Sequence, residues 1–298
     1  MDSLTDLNNY LNIKYNINSQ IYKLKYRYHT ENINNIYRNL FITILAIIII
    51  ILLIINIKNN YIKIFLYVFL IYLFFLIIKY SLIISNYNYR EKNIINMNIK
   101  NVHNINNLNL NTGDIIQCGI VWNEDNIMHQ IIYPIIKSNF LHNIFVIKYR
   151  NKYYGLHYII STYKLPLNSL KNTIRINNNI EIILLEDYFN EYYFMNRNYY
   201  RVFKVNKQIN NDLVFHSIKK FSIESKFSFL PLYSLSSIND IHNRNDYNCS
   251  SFIIKLLYTL KLIHIINYHN ITSDDYLILP EISKNNYREP YYFNYSIY

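Results

Sequence analysis

Cys249 stands in NDYNCSSFIIKLL (245–257), between small polar residues and an apolar run. A thiol is a nucleophile only as thiolate, and it needs a base within hydrogen-bond reach and a third group to orient that base. From Ser251 onward, SFIIKLLYTLKLI has apolar residues at 252, 253, 256, 257 and 260, the spacing of a helix with one stripe on a core. Cys249 therefore falls at the first turn of a helix, with Asp246 or Asn248 as candidate caps. The free N–H groups and partial positive charge there favour a thiolate and could hold an oxyanion. Cys118, in the strand-like IIQCGIVW, has the surroundings of a buried small residue.

Of nine histidines, two share a pattern. FLHNIFVIKYRNKYYGLHYII reads as a hairpin turning near Arg150 and Asn151. With Arg150-Asn151 as the loop, residue 144 faces residue 157, and His142 and His157 share a face one diagonal apart. With Tyr149-Arg150 as the loop they stand directly opposite. Two polar residues on a solvated strand face would produce the same spacing. His216, His242, His264 and His269 lack the spacing of a zinc site, and EDYFNE (186–191) reads as an exposed acidic loop. No cofactor or metal is expected.

The elements that would position this chemistry follow from hydropathy. Residues 39–57, NLFITILAIIIIILLIINI, and 64–84, IFLYVFLIYLFFLIIKYSLII, are each long and apolar enough for a membrane span. The connection KNNYIK (58–63) makes them a hairpin, with both flanks on one side. Lys14, Lys23, Lys25, Arg27, Arg38, Arg90, Lys92 and Lys100 flank it, against Lys58 and Lys63 in the turn, which points the flanks to the cytoplasm. Two distant cysteines exclude a disulfide-dense scaffold and a four-cysteine zinc site, and a reducing compartment suits them.

The expected order is an N-terminal cytoplasmic tail (1–38) with an amphipathic helix around 10–28, a transmembrane helical hairpin (39–84), a linker (85–107) and a soluble domain (108–298). Its strands are QCGIVW, HNIFVIKY, YYGLHYII, EIILLED and YRVFKV, so the class is α+β. The net charge of +11 is scattered without a basic run, and nucleic acid is not expected as a partner. Asn, Ile, Tyr and Lys dominate while only three Gly occur, so Asn-rich stretches and the sequons at 270–272 and 294–296 carry little meaning.

Taken in order, LNTGDIIQ (110–117), FLHNIFVI (140–147), YYGLHYI (153–159) and YNCSSFIIKLL (247–257) resemble circularly permuted NlpC-type papain-like thiol enzymes, a group that includes relatives of lecithin:retinol acyltransferase. The resemblance spans roughly 108–283, with LILPEIS (277–283) as its closing element. It implies a permuted papain-like domain, an antiparallel sheet packed on helices, with Cys249 as nucleophile, His142 as general base and His157 orienting that base. Gly113 and Asp114 would shape entry to the first strand. The chain departs from the acyltransferase pattern in having NCSSF for NCEHF and Asn143 for an aromatic after the first histidine. The implied activity is hydrolysis or acyl transfer through a thioester on an amide, ester or lipid-linked substrate. The alternative is a catalytically inactive membrane scaffold or interaction protein that keeps the fold.

Overall fold

The computed structural model describes residues 3–26, 33–95, 98–119, 140–158, 169–177, 179–193, 199–224, 226–227, 246–247, 249–264, 274–277, 279, 282 and 286–295. His242, His269, Asn248, the sequon at 270–272 and most of LILPEIS lie outside them. The chain is α+β, and its described residues divide into two units, one of residues 33–95, the other of the remainder.

The chain forms a helix and a strand before the hairpin. That helix, α1 (Ser3–Tyr15), and the strand β1 (Gln20–Tyr26) belong to the larger unit. The hairpin is α2 (Ile33–Asn56) and α3 (Asn60–Ile95). Both are long and apolar enough to cross a membrane, over Asn34–Asn56 and Asn60–Ser85. Ile47, Ile50, Ile54 and Leu73 pack between them. Most other apolar side chains face outward, Ile55 at 71% and Phe65 at 69% exposure. The connection is shorter than the six residues expected. Asn59 Oδ1 accepts the backbone N–H of Tyr61 at 2.9 Å and of Ile62 at 3.3 Å, a cap that starts α3 at residue 60.

The larger unit is built on β2 (Ile99–Val102), β3 (Ile115–Gly119), β4 (Phe140–Tyr149), β5 (Lys152–Tyr158), β6 (Ser169–Arg175), β7 (Ile180–Leu184), β8 (Tyr199–Phe203) and β11 (Tyr291–Tyr295). With β1 they form one sheet in the order β1-β6-β7-β5-β4-β3-β8-β11-β2. The expected antiparallel sheet is corrected to a mixed one, since β2 pairs with β11 in parallel at one edge. The two strands that flank the hairpin in sequence, β1 and β2, form opposite edges.

Strand β4 lies in the middle and is apolar on both faces, as a strand covered on both sides must be. Phe145 and Ile147 join a core with α1, α5 (Asn211–Glu224) and α6 (Cys249–Thr259). Ile144 and Val146 join another with α4 (Leu185–Tyr193). A separate short ribbon pairs β9 (Lys226–Phe227) with β10 (Asp246–Tyr247) in parallel. Asp246, a candidate cap of α6, sits in that ribbon.

Three expectations change here. Residues 3–26 are part of the fold: Leu4, Leu7, Leu11 and Tyr15 repeat at helical spacing and are buried, and β1 pairs with β6. The amphipathic helix thus lies at 3–15 and not around 10–28. EDYFNE is helical, within α4, because Leu185, Tyr188 and Phe189 at i, i+3 and i+4 bury against the sheet. Helix α5 is additional; Val214, Phe215, Ile218 and Phe221 bury one stripe of it.

Candidate active site

The β4–β5 hairpin sets the histidines. Arg150 (φ 47°) and Asn151 (φ 60°) are both left-handed, the backbone of a two-residue type I′ turn, and Tyr149 pairs with Lys152. Ile144 then faces His157, the first of the two expected registers. His142 Nε2 and His157 Nδ1 are 2.9 Å apart, with the rings edge to face at 79°. His157 is buried and His142 partly so, which excludes a solvated strand face. Burial pushes His142 down to about 4 from 6.5. His157 goes well below its ordinary value, first through burial and then through its neighbour His142.

Behind His157 the register brings up two residues that the sequence reading passed over. His157 pairs with Glu181 in β7, and Glu181 with Arg175 in β6. Arg175 donates from Nε at 2.8 Å and Nη2 at 2.5 Å to Glu181 Oε1. Glu181 Oε2 faces His157 Nε2 at 3.9 Å. Both of those atoms are buried with no hydrogen-bond partner among the described residues. The signal in the sequence was a carboxylate in the otherwise apolar strand EIILL. A charge there is costly unless something meets it.

Cys249 is the first residue of α6. Its sulfur is met by the backbone of Asn143, the residue after His142, and by the side chain and backbone of Ser250. These contacts favour the thiolate, but burial outweighs them and the pKa is raised. A lowered pKa from the helix N-terminus alone was the expectation; desolvation reverses its sign. Cys118 is buried as expected, takes a hydrogen bond from Tyr188 Oη at 3.4 Å, and is pushed up to about 12.

A polar row holds the α6 end on the sheet. Arg201, Gln117 and Asn143 are cross-strand neighbours on β8, β3 and β4. Arg201 Nε donates to Gln117 Oε1 at 2.6 Å, and Gln117 Nε2 to Asn143 Oδ1 at 2.7 Å. Asn143 Nδ2 then donates to Ser250 Oγ at 2.7 Å, beside the nucleophile candidate. Tyr276 Oη donates to the Ser250 carbonyl at 2.9 Å. Such a buried network fixes a geometry because each member is costly to leave unmet.

Gly113 and Asp114 serve the backbone. Gly113 has φ +104°, and a Cβ there would meet Ile209 Cδ1 at 2.2 Å. Asp114 is buried and accepts the N–H groups of Asn111 and Val205, each at 2.8 Å, while Lys204 pairs with it at 2.7 Å. His216 packs its ring edge against Tyr15, 5.2 Å between centroids. Among the described residues, no group of three His, Cys, Asp or Glu side chains could hold a metal ion.

No family model matches the sequence, and no curated protein matches it significantly.

Proposed function

We propose that the chain is a membrane-anchored thiol hydrolase or acyltransferase of the permuted NlpC-type papain-like kind. In this reading Cys249 is the nucleophile, His142 the general base and His157 the positioning residue that orients it. The observation that carries the reading is the 2.9 Å bond between His142 and His157, on the strand whose next residue meets the Cys249 sulfur. A nucleophile at a helix start, a base and an orienting group are the parts acyl transfer needs. At the two departures from the acyltransferase pattern, Asn143 and Ser250 bond each other.

The thiol is protonated at rest, so the proton leaves as the bond forms. His142 takes it from sulfur, the sulfur electron pair bonds the carbonyl carbon, and the backbone N–H of Cys249 helps hold the oxyanion. Collapse expels an amine or alcohol and leaves a thioester. Water then gives hydrolysis, and another acceptor gives transfer.

The test is acylation of the detergent-solubilised full chain by p-nitrophenyl acetate, mapped by mass spectrometry. Cys249 should be acylated and Cys118 spared, and His142→Ala should slow the reaction about 10²-fold. The acidic limb of the rate should follow the histidine pair and fall well below pH 6.5, since burial keeps His142 neutral to about 4. A Cys249 that reacts only after unfolding would sink the enzyme reading and leave the inactive scaffold.

The outward-facing apolar surface of α2 and α3 supports a membrane hairpin. The short connection between α2 and α3 favours both flanks on one side, and the flanking Lys and Arg favour the cytoplasmic side. That location favours lipid or lipid-modified substrates. The protein should stay in the membrane pellet after alkaline carbonate extraction. A tag inserted at residues 57–59 should resist protease in sealed vesicles that leave an N-terminal tag open to it; equal accessibility of both would exclude the hairpin.

A further inference from the structure

We infer that Glu181, anchored by Arg175, sets the tautomer of both imidazoles and thereby decides which nitrogen of His142 is free to act as base, an inference that rests on the thiol reading above. A carboxylate can only accept hydrogen bonds. Arg175 occupies Oε1 with two donors, which leaves Oε2 turned to His157 Nε2 at 3.9 Å, both atoms buried and without another partner among the described residues. Lone pairs facing each other across that gap would repel, so the proton of His157 belongs on Nε2. A neutral imidazole has one N–H. His157 Nδ1 is then an acceptor, and the 2.9 Å bond to it must be donated by His142 Nε2. His142 Nδ1 keeps its lone pair and is the base.

The same row answers a second need. When Nδ1 takes the thiol proton, the S–H bond breaks, an N–H bond forms, and His142 becomes a cation in a buried place. Burial opposes that charge. The carboxylate, one imidazole away, is the compensating anion, and the 3.9 Å gap leaves room for its bond to shorten as the charge develops. Catalytic hydrogen bonds are commonly long before substrate arrives.

Glu181→Gln makes this readable. Arg175 would hold the amide oxygen, so the amide nitrogen faces His157 Nε2 and donates to it. That moves the His157 proton to Nδ1 and the His142 proton from Nε2 to Nδ1, which blocks the base. The isosteric amide is thus expected to be worse than Glu181→Ala, which leaves both tautomers accessible. A packing role would reverse that order.

The experiment compares the full-length protein with both variants in detergent. It reads Cys249 acylation by p-nitrophenyl acetate and the histidine ring ¹⁵N–¹H correlations. Glu181→Gln should lose about 10²-fold in rate and Glu181→Ala about tenfold, and the ring protons of His142 and His157 should exchange places only in Glu181→Gln. Wild-type tautomers retained in Glu181→Gln, or a rate in it equal to or above that of Glu181→Ala, overturn the inference with the thiol reading intact. Wild-type protein that is never acylated at Cys249 ends the thiol reading, while the ring spectra still decide the tautomer assignment on their own.

Discussion

Acidification from pH 7 to 4 is expected to remove about 3 kcal/mol of folding stability through His142 alone. Its pKa falls from 6.5 to about 4 on folding, and each unit is worth about 1.4 kcal/mol. The sign follows from proton counts. Between 6.5 and 4 the unfolded chain binds a proton at this site and the folded one does not, so stability falls as pH falls. The contribution is complete above 6.5 and lost on the way down to 4. His157, lowered further by burial and by His142, adds to it in the same direction. Asp114 and Glu181 work the other way, because burial raises both and makes the folded state the better proton acceptor there. The histidine part is therefore read as a difference. Denaturant midpoints for wild type and His142→Gln, followed by tyrosine fluorescence at pH 7 and pH 4, should converge by about 3 kcal/mol as the pH drops. Parallel midpoints would mean that His142 titrates normally and is not held in a dry site.

The same lowered values bear on mechanism. With both imidazoles neutral and the Cys249 thiol raised, the resting site carries no thiolate–imidazolium pair. In the proposed mechanism charge is created only at the moment of attack, so whatever stabilises the new imidazolium would matter more than in a site that holds the ion pair beforehand. Glu181, held in place by Arg175, is the anion on hand.

Local pattern explains what could be seen in the sequence. The β4–β5 hairpin was legible because its strands are apolar, its turn is polar, and register is fixed once one loop length is chosen. Helix α6 was legible from one apolar stripe, and α2 and α3 from uninterrupted Ile and Leu. What stayed hidden depended on long-range pairing. Strand β1 is QIYKLKY, which resembles any lysine-bearing segment here until β6 pairs with it. Strand β2 is IKNV and gains its meaning only beside β11. Helix α1 has its Leu4, Leu7 and Leu11 stripe in plain view, but the core that buries it comes from residues more than a hundred positions away. Glu181 and Arg175 were missed for the same reason: a carboxylate and a guanidinium in different strands mean nothing until topology sets β6, β7 and β5 side by side. The Cys249 pKa is the clearest instance. Its helix start was readable, but the desolvation that reverses the shift is a tertiary quantity.

Asp114 provides the sharpest test of structure against chemistry in an acidic residue. Asp114→Ala is expected to cost about 3–5 kcal/mol, the range for removing one partner of a buried ion pair. Three donors lose their acceptor together: the N–H of Asn111, the N–H of Val205 and the Lys204 ammonium. The Val205 contact ties the end of β8 to the entry of β3, and the Asp114 carbonyl accepts from Val146 in β4 at 2.8 Å, so the loss falls on the strands that carry the polar row and His142. Lys204→Met separates the terms. It leaves the carboxylate buried without its cation, which pushes the Asp114 pKa up further, so the folded state gains a proton at higher pH than the unfolded one. Its deficit against wild type should therefore be greatest at pH 7 and shrink toward pH 4, whereas the Asp114→Ala deficit should grow toward pH 4, because the raised Asp114 pKa lets wild type gain stability on protonation that the alanine variant cannot. Denaturation midpoints of the three proteins at both pH values decide the matter. An Asp114→Ala protein as stable as wild type but unable to acylate Cys249 would move Asp114 out of the scaffold and into the reaction.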